Sequence, residues 1–367
     1  MKFDLFALMQ KRDESWTSSQ VFDDLTEQVK LADESCFETV WFAEHHFSNY
    51  SLCPSPLMAV AYYAGLTRRV RLGTAVVVLP LYEPMRLVQE IGMTDVLTGG
   101  RLVLGIGSGY QDYEFQRFRT PLAEGLDRSL EILDLIELAM HQDQFEYHGR
   151  YYQYPPTQIA IKPLRVPEIW IAGLGGHDKV QRRMAQSGYV PMLTPSWKPM
   201  SSISPVREAQ RALYEEIGRG GGNAPLGLMR FVHVTDDRKQ ALEAAERARY
   251  SSRVSLSMRL NYSKLNDIYV AEQQAKNEPP IEEMVENYVI GSVEHCIEKI
   301  LEDYEVMGHS HLLINPQLGG IPSERVMRTL ELMVSDIIPE VEKELKRRGV
   351  EQPVITQKPM APVVEAA

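Results

Sequence analysis

The stretch Val70-Arg71-Leu72-Gly73-Thr74-Ala75-Val76-Val77-Val78-Leu79 is almost continuously apolar and rich in β-branched residues. That pattern belongs to a strand buried on both faces, and such strands occur in parallel sheets covered by helices on each side. Upstream, residues 56–66 read as a helix with Gly65 near its end, and Thr39-Val40-Trp41-Phe42 as a short β-rich run. Residues 20–35 have a helical period, with Val21, Leu25, Val29 and Ala32 on one face and Ser18 or Ser19 placed to cap the start. Residues 3–8 open the chain as a strand.

Downstream the alternation continues. Residues 84–97, 122–140, 178–186, 205–217, 238–249, 293–307 and 323–346 read as helices, and Pro84 suits a first helical turn. Residues 101–106, 168–172, 189–193, 226–234 and 311–314 read as strands. Eight strands alternating with helices in a chain of 367 residues imply an α/β fold, a closed (β/α)8 TIM barrel with insertions. Residues 1–350 are expected to form one domain, with 143–167 and 251–291 as irregular excursions near the barrel mouth or rim. The Pro-, Val- and Ala-rich tail, residues 351–367, is expected to be disordered.

Bulk properties narrow the function. The formal net charge is −11, which disfavours nucleic acid or an anionic membrane as partner. No apolar run is long enough to span a bilayer. Asp4 interrupts the apolar start and Lys11-Arg12-Asp13-Glu14 follows too early for a signal peptide, so a cytoplasmic protein is expected. Three scattered cysteines, Cys36, Cys53 and Cys296, form no C-x-x-C pair, which fits free thiols and argues against structural zinc.

Four segments carry candidate chemistry. Glu44-His45-His46 directly follows the second strand, and strand C-termini carry the chemistry of parallel barrels. One of two adjacent histidines in extended chain faces the pocket while the other packs; a hydrogen-bonded structural histidine is the competing reading. Gly73-Thr74-Ala75-Val76 lies inside a buried strand, where glycine marks either close approach of a flat ligand or plain core packing. Gly105-Ile106-Gly107-Ser108-Gly109-Tyr110 follows strand four; its spacing, with no helix expected at its end, is not that of a dinucleotide fingerprint. Ala172-Gly173-Leu174-Gly175-Gly176-His177-Asp178 precedes a helix and offers free backbone N–H groups to a phosphate, or is a flexible loop capped by Asp178. His309 and His311 stand at the start of a strand and read as structural. No G-x-S-x-G, P-loop or H-E-x-x-H sequence occurs.

Taken in order, these segments resemble the bacterial-luciferase-like flavin monooxygenases. The resemblance rests on residues 37–47, ending in Glu44-His45-His46-Phe47, on residues 70–80, and on Gly99-Gly100-Arg101 running into Gly105-Ile106-Gly107-Ser108-Gly109. It extends from Met1 to about Glu340. It implies FMN at the C-terminal mouth, a cis peptide at Ala75-Val76, and His45 as the catalytic proton carrier. It assigns the flavin phosphate to Ser108 and Tyr110 and to Gly173, Leu174, Gly175, Gly176 and His177. Phe6, Glu44, Ala75, Val76, Gly107 and Ala172 complete the cofactor site it implies. Ser108 stands where luciferase has a phosphate-binding arginine and Gly107 where it has a cysteine, so light emission is not implied.

The activity expected from the resemblance is that of a two-component monooxygenase. Reduced FMN from a separate flavin reductase would react with O2, and the C4a-peroxyflavin would oxygenate a small aldehyde- or ketone-like substrate. The alternatives are an F420-dependent hydride-transfer enzyme and a non-catalytic partner subunit; retention of His45 argues against the second. The resemblance also implies a homodimer formed through the helices after strands two and three.

Overall fold

The computed structural model describes residues 1–172, 178–261, 264–350, 353 and 355–358. Eight parallel strands close into a barrel: β1 (Lys2–Ala7), β2 (Thr39–Phe42), β3 (Arg71–Thr74), β4 (Leu102–Gly107), β5 (Glu168–Ala172), β6 (Val190–Leu193), β7 (Gly227–Val234) and β8 (His311–Asn315). Each strand pairs with the next, and β8 returns to β1 with Lys2 opposite His311 and Leu5 opposite Ile314. Closure leaves none of these eight strands at a sheet edge.

Several boundaries differ from those the sequence suggests. The first helix is Ser18–Glu34, and its cap is Thr17 rather than Ser18 or Ser19. Thr17 and Gln20 satisfy each other reciprocally: Gln20 N–H donates to the Thr17 hydroxyl at 3.1 Å, and Thr17 N–H to Gln20 Oε1 at 2.8 Å. The decisive apolar run is not one strand. β3 stops at Thr74, the Ala75-Val76 peptide is cis, and the chain resumes beside β4 as Val77–Val78 before a 3-10 turn at Leu79–Leu81. A short helix, Asp112–Phe118, opens just after the glycine loop, where none was expected. The stretch at 143–167 contains an antiparallel pair, Phe145–His148 with Gln153–Thr157.

The barrel interior is packed by aromatic side chains. Trp41 and Trp170 meet with ring centroids 4.6 Å apart, and His311 stands edge-on to Trp170 at 4.8 Å. His311 Nδ1 and Asp4 Oδ2 are 2.8 Å apart, both fully buried, as a structural reading of His311 requires. A Cβ on Gly73 would lie 2.4 Å from the Trp41 ring. The flat group that approaches Gly73 is therefore Trp41 itself, and core packing explains this glycine.

The largest departure lies between β7 and the helix Val293–Met307. The helix expected at 238–249 runs a further ten residues, Arg238–Arg259. It is followed by a small antiparallel pair, Leu265–Asn266 with Tyr269–Val270, by the helix Ile281–Asn287, and by a ninth parallel strand, Val289–Gly291, beside the end of β7. Together these elements form a cap over the C-terminal ends of the strands. The Arg247 guanidinium donates to the carbonyls of Gly319 (2.8 Å) and Gly320 (3.0 Å) beyond β8. Asn49 ties the cap to the loop after β2: its side chain donates to the Tyr250 hydroxyl (2.9 Å) and accepts from Val270 N–H (3.0 Å).

Residues 355–358, which composition places in a disordered tail, lie against the opposite face of the barrel. The Gln357 amide accepts from Ile169 N–H and donates to Ile169 C=O, each at 2.8 Å. Lys358 N–H donates to Ser187 C=O at 2.9 Å, and Arg219 to Thr356 C=O at 2.6 Å. Gln357→Ala is expected to lower unfolding free energy by about 1–3 kcal/mol, the usual cost of leaving such groups unpaired. Denaturant unfolding checks this; an unchanged midpoint removes the tail from the stability of the fold.

Candidate active site

Side chains alternate along a strand, so residues two positions on from the interior aromatics point the same way, one layer nearer the strand C-termini. Above Trp41, Gly73 and Trp170 this layer holds Ala43, Ala75 and Ala172, with Phe6 from β1 and Gly107 from β4. Four of these five neighbours of Phe6's layer are alanine or glycine in size; a tryptophan layer is thus roofed by very small residues. Phe6, Ala75, Val76, Ser108, Tyr110 and Ala172 are not fully buried, in contrast to the strands beneath them. The mouth therefore has an apolar floor at Phe6, Ala75, Val76 and Ala172. The floor is not bare at Gly107, where a Cβ would meet Val76 Cγ2 at 2.7 Å, or at Gly109, where it would meet Phe115 at 2.5 Å.

The Glu44-His45-His46 turn divides its work as adjacent residues in extended chain should. Glu44 is buried and holds the rim together: Oε1 is 2.9 Å from His46 Nε2, while Oε2 accepts from the Tyr82 hydroxyl (2.9 Å) and from Val78 N–H (3.2 Å). Burial pushes the Glu44 carboxyl above the usual carboxylate range, although these hydrogen bonds pull the other way. His46 is buried against Phe118, edge to face at 4.7 Å. It is wall rather than pocket.

His45 is the exposed member of the pair, with 12% of its side chain accessible. Its Nδ1 lies 3.2 Å from Glu114 Oε1 and 2.9 Å from the Gln111 amide nitrogen. Glu114 Oε1 also accepts His46 N–H at 2.7 Å. An oxygen that accepts from both places the ring proton on Nδ1; with one hydrogen there, the Gln111 amide serves by its oxygen, an orientation assigned from the bonding pattern. Nε2 is left without a hydrogen-bond partner among the described residues. Tyr50 and Tyr110 flank the ring, with centroids at 4.5 and 5.9 Å. Burial raises both phenols, so they act as hydroxyl donors, and it pushes the nearby Cys53 thiol up to about 12, which removes a thiolate from consideration.

The cap completes the enclosure. Tyr250, Val254 and Met258 of its long helix pack with Leu8, Ala43 and Tyr50, and Phe6 and Tyr113 adjoin this cluster. Ser255 Oγ is 3.4 Å from the Tyr110 hydroxyl.

The structure thus brings Phe6, Glu44, His45, Ala75, Val76, Gly107, Ser108, Tyr110 and Ala172 to the strand C-termini. Gly173, Leu174, Gly175, Gly176 and His177, the expected phosphate loop, lie outside the described residues. Sequence reasoning missed Gln111, Glu114, Tyr50 and Ser255. The acidic pair Asp112 and Glu114 straight after a glycine loop was the available signal, since acidic residues favour a first helical turn. Among the described residues, no group of three or more His, Cys, Asp or Glu is placed to hold a metal.

A closed α/β barrel with ionisable groups gathered over an open floor at its strand C-termini is an enzyme architecture. The sequence profile described as luciferase-like monooxygenase matches residues 1–311, and the chain belongs to that family. Relatives include the uncharacterised protein y4vJ of Sinorhizobium fredii, 36% identical over 95% of this chain and 99% of that one. The oxygenase component of the flavin-dependent trigonelline monooxygenase of Acinetobacter baylyi is 28% identical over 92% of this chain and 95% of its own. Among solved structures, the monooxygenase RslO1 of Streptomyces bottropensis superposes with a TM-score of 0.81 at 20% identity, covering 93% of this chain and 99% of that one. The oxygenating constituent of 3,6-diketocamphane monooxygenase from Pseudomonas putida, in complex with FMN, gives 0.73 at 20% identity over 93% and 98%. An F420-dependent secondary alcohol dehydrogenase gives 0.70 at 17% over 93% and 98%. The protein is an oxidoreductase of this family. Among the described residues, no helix is long and apolar enough to cross a membrane.

Proposed function

We propose that the protein is the oxygenase component of a two-component monooxygenase, using reduced FMN from a separate reductase and O2 to oxygenate a small organic substrate. The observation that carries this reading is His45 at the same strand ends as a floor of Phe6, Ala75, Val76 and Ala172, with Nδ1 engaged and Nε2 free. The trigonelline enzyme, an oxygenase component similar along almost the whole chain, supports it. The residues present suit the flavin: the floor matches a flat ring, and the Ser108 and Tyr110 hydroxyls would hold the phosphate together with residues 173–177. Reduced FMN, when bound, supplies the two electrons with which one atom of O2 enters the substrate and the other leaves as water.

The chain's own groups then have defined tasks. Glu114 fixes the His45 ring, and Nε2 takes or returns a proton at the reacting centre. The cap limits the entry of water. The test is anaerobic binding of reduced FMN followed by admission of oxygen. Reoxidation slower than that of free flavin, through a transient absorbing unlike either redox state, is expected. Reoxidation at the free-flavin rate, together with binding of F420, sinks the reading.

A homodimer belongs to the same reading. The helices Pro56–Ala64 and Pro84–Thr98 pack side by side and expose Met58, Tyr62, Met93, Val96 and Leu97. So much clustered apolar surface marks an interface. Tyr62→Glu with Met93→Glu is expected to convert a dimer to a monomer in light scattering; an unaltered mass places the contact elsewhere.

A further inference from the structure

The long cap helix, Arg238–Arg259, carries arginines of two kinds. Those facing other parts of the cap and rim are saturated. Arg247 holds Glu243 at 2.9 Å as well as the Gly319 and Gly320 carbonyls. Arg253 holds Glu278 at 2.5 Å and Glu272 at 3.1 Å. Arg249 and Arg259 have no carboxylate within 4.0 Å among the described residues. The Arg249 Nε atom is buried and lacks a hydrogen-bond partner. Glu278, the acid near enough to feel its charge, is already taken by Arg253 and by Ala275 N–H.

These two arginines share a helix face with two serines. Positions 249, 252, 255 and 259 follow each other at spacings of three, three and four, which keeps them on one side. That side adjoins the mouth at both ends. Ser252 accepts from Ser196, in the loop after β6, at 2.6 Å, and Ser255 meets the Tyr110 hydroxyl. Arg259 lies over the Tyr110 ring, 4.6 Å from its centroid, and the same ring flanks His45. The face is cationic and rich in hydroxyls, in a chain whose net charge is −11.

We propose that this face selects the organic substrate by an oxyanion: Arg259, with Ser255, binds a carboxylate-type group while the other end of the molecule reaches His45, and Arg249 adds attraction from the neighbouring turn. Arg259 and His45 both contact the Tyr110 ring, at 4.6 and 5.9 Å from its centroid, so a single small molecule can engage both. The inference rests on the oxygenase reading only for what happens at His45. The flavin phosphate shares the same oxyanion chemistry, because Ser108 offers no cation of its own, and is the competing source.

The test measures binding. Wild type, Arg259→Gln and Arg249→Gln are titrated calorimetrically with benzoate, benzenesulfonate and neutral benzamide, and anaerobically with reduced FMN and reduced riboflavin. The wild type is expected to bind the two anions about tenfold or more tightly than benzamide, as charge-assisted pairing gives. Arg259→Gln is expected to abolish that preference, Arg249→Gln to reduce it, and both to keep the affinity for reduced FMN. No preference for the anions, including no binding by any of the three probes, overturns the proposal. So does loss of reduced FMN binding in Arg259→Gln with reduced riboflavin unaffected, which assigns the face to the flavin phosphate. An anion preference lost in Arg259→Gln, in a protein that reoxidises reduced FMN at the free rate, upholds this inference and removes the oxygenase reading.

Discussion

His45→Ala is expected to cut product formation by about 10²–10⁴-fold, the usual worth of a positioned acid or base, while reduced FMN binds within about a factor of three of wild type. The asymmetry follows from where the side chain sits. The proposed flavin floor is made by Phe6, Ala75, Val76 and Ala172, none of which hydrogen-bonds the imidazole. The ring is partly exposed, and its only hydrogen bonds among the described residues are to Gln111 and Glu114 at the start of one short helix. His45→Asn makes a stricter control, because an amide can still donate to Glu114 yet neither takes up nor releases a proton near neutral pH. It should match the alanine variant in turnover. Coupled turnover with a reductase and anaerobic flavin titration read the two quantities separately. Full turnover in either variant would take His45 out of the chemistry. Equal losses in binding and turnover would make it part of the flavin seat instead.

How far the sequence reveals this molecule depends on whether a feature is set locally. The strands were legible because each is a short apolar run, and the helices because their periods are clear. The interruption of the run at Thr74 could not be read from composition, because Ala75-Val76-Val77-Val78 is as strand-like as what precedes it; only the resemblance, through the cis peptide it implies at Ala75-Val76, pointed there. What marks the break lies on another strand: the Thr74 hydroxyl donates to Gly105 C=O at 2.7 Å, and Val76 fills the space beside Gly107. Gly105 makes room for the Thr74 backbone carbonyl, and Gly107 for the Val76 side chain. The length of the cap helix was hidden for a different reason. Residues 250–257 contain four serines and two β-branched or aromatic residues, a poor helical composition, and it is packing of Tyr250, Val254 and Met258 against Leu8, Ala43 and Tyr50 that prevails.

The site shows the same division. That one histidine of the pair would pack was legible from their place after a strand; that His45 is the one facing the mouth was implied by the resemblance alone. The partner that fixes the His45 ring could not be read, since Glu114 is 69 residues away and sits on a seven-residue helix that a glycine loop gave little reason to expect.

Glu114 therefore gives the sharpest test of how the site is organised. One atom, Oε1, both accepts His46 N–H and faces His45 Nδ1. Glu114→Ala removes it. A buried backbone donor then goes unpaired, costing about 1–3 kcal/mol of stability, and the imidazole is free to change tautomer and rotate. Turnover is expected to fall by about 10²-fold or more. Glu114→Gln should behave differently, because an amide oxygen can occupy the Oε1 position and accept from both groups; most of the stability and activity within about tenfold of wild type are expected to return. That rescue separates positioning from bulk structure, since a protein merely loosened by alanine would lose reduced-flavin affinity along with turnover. If glutamine proves as damaging as alanine while the fold and flavin binding are intact, it is the negative charge beside His45 that matters, and the carboxylate acts by stabilising a protonated ring rather than by aiming a neutral one.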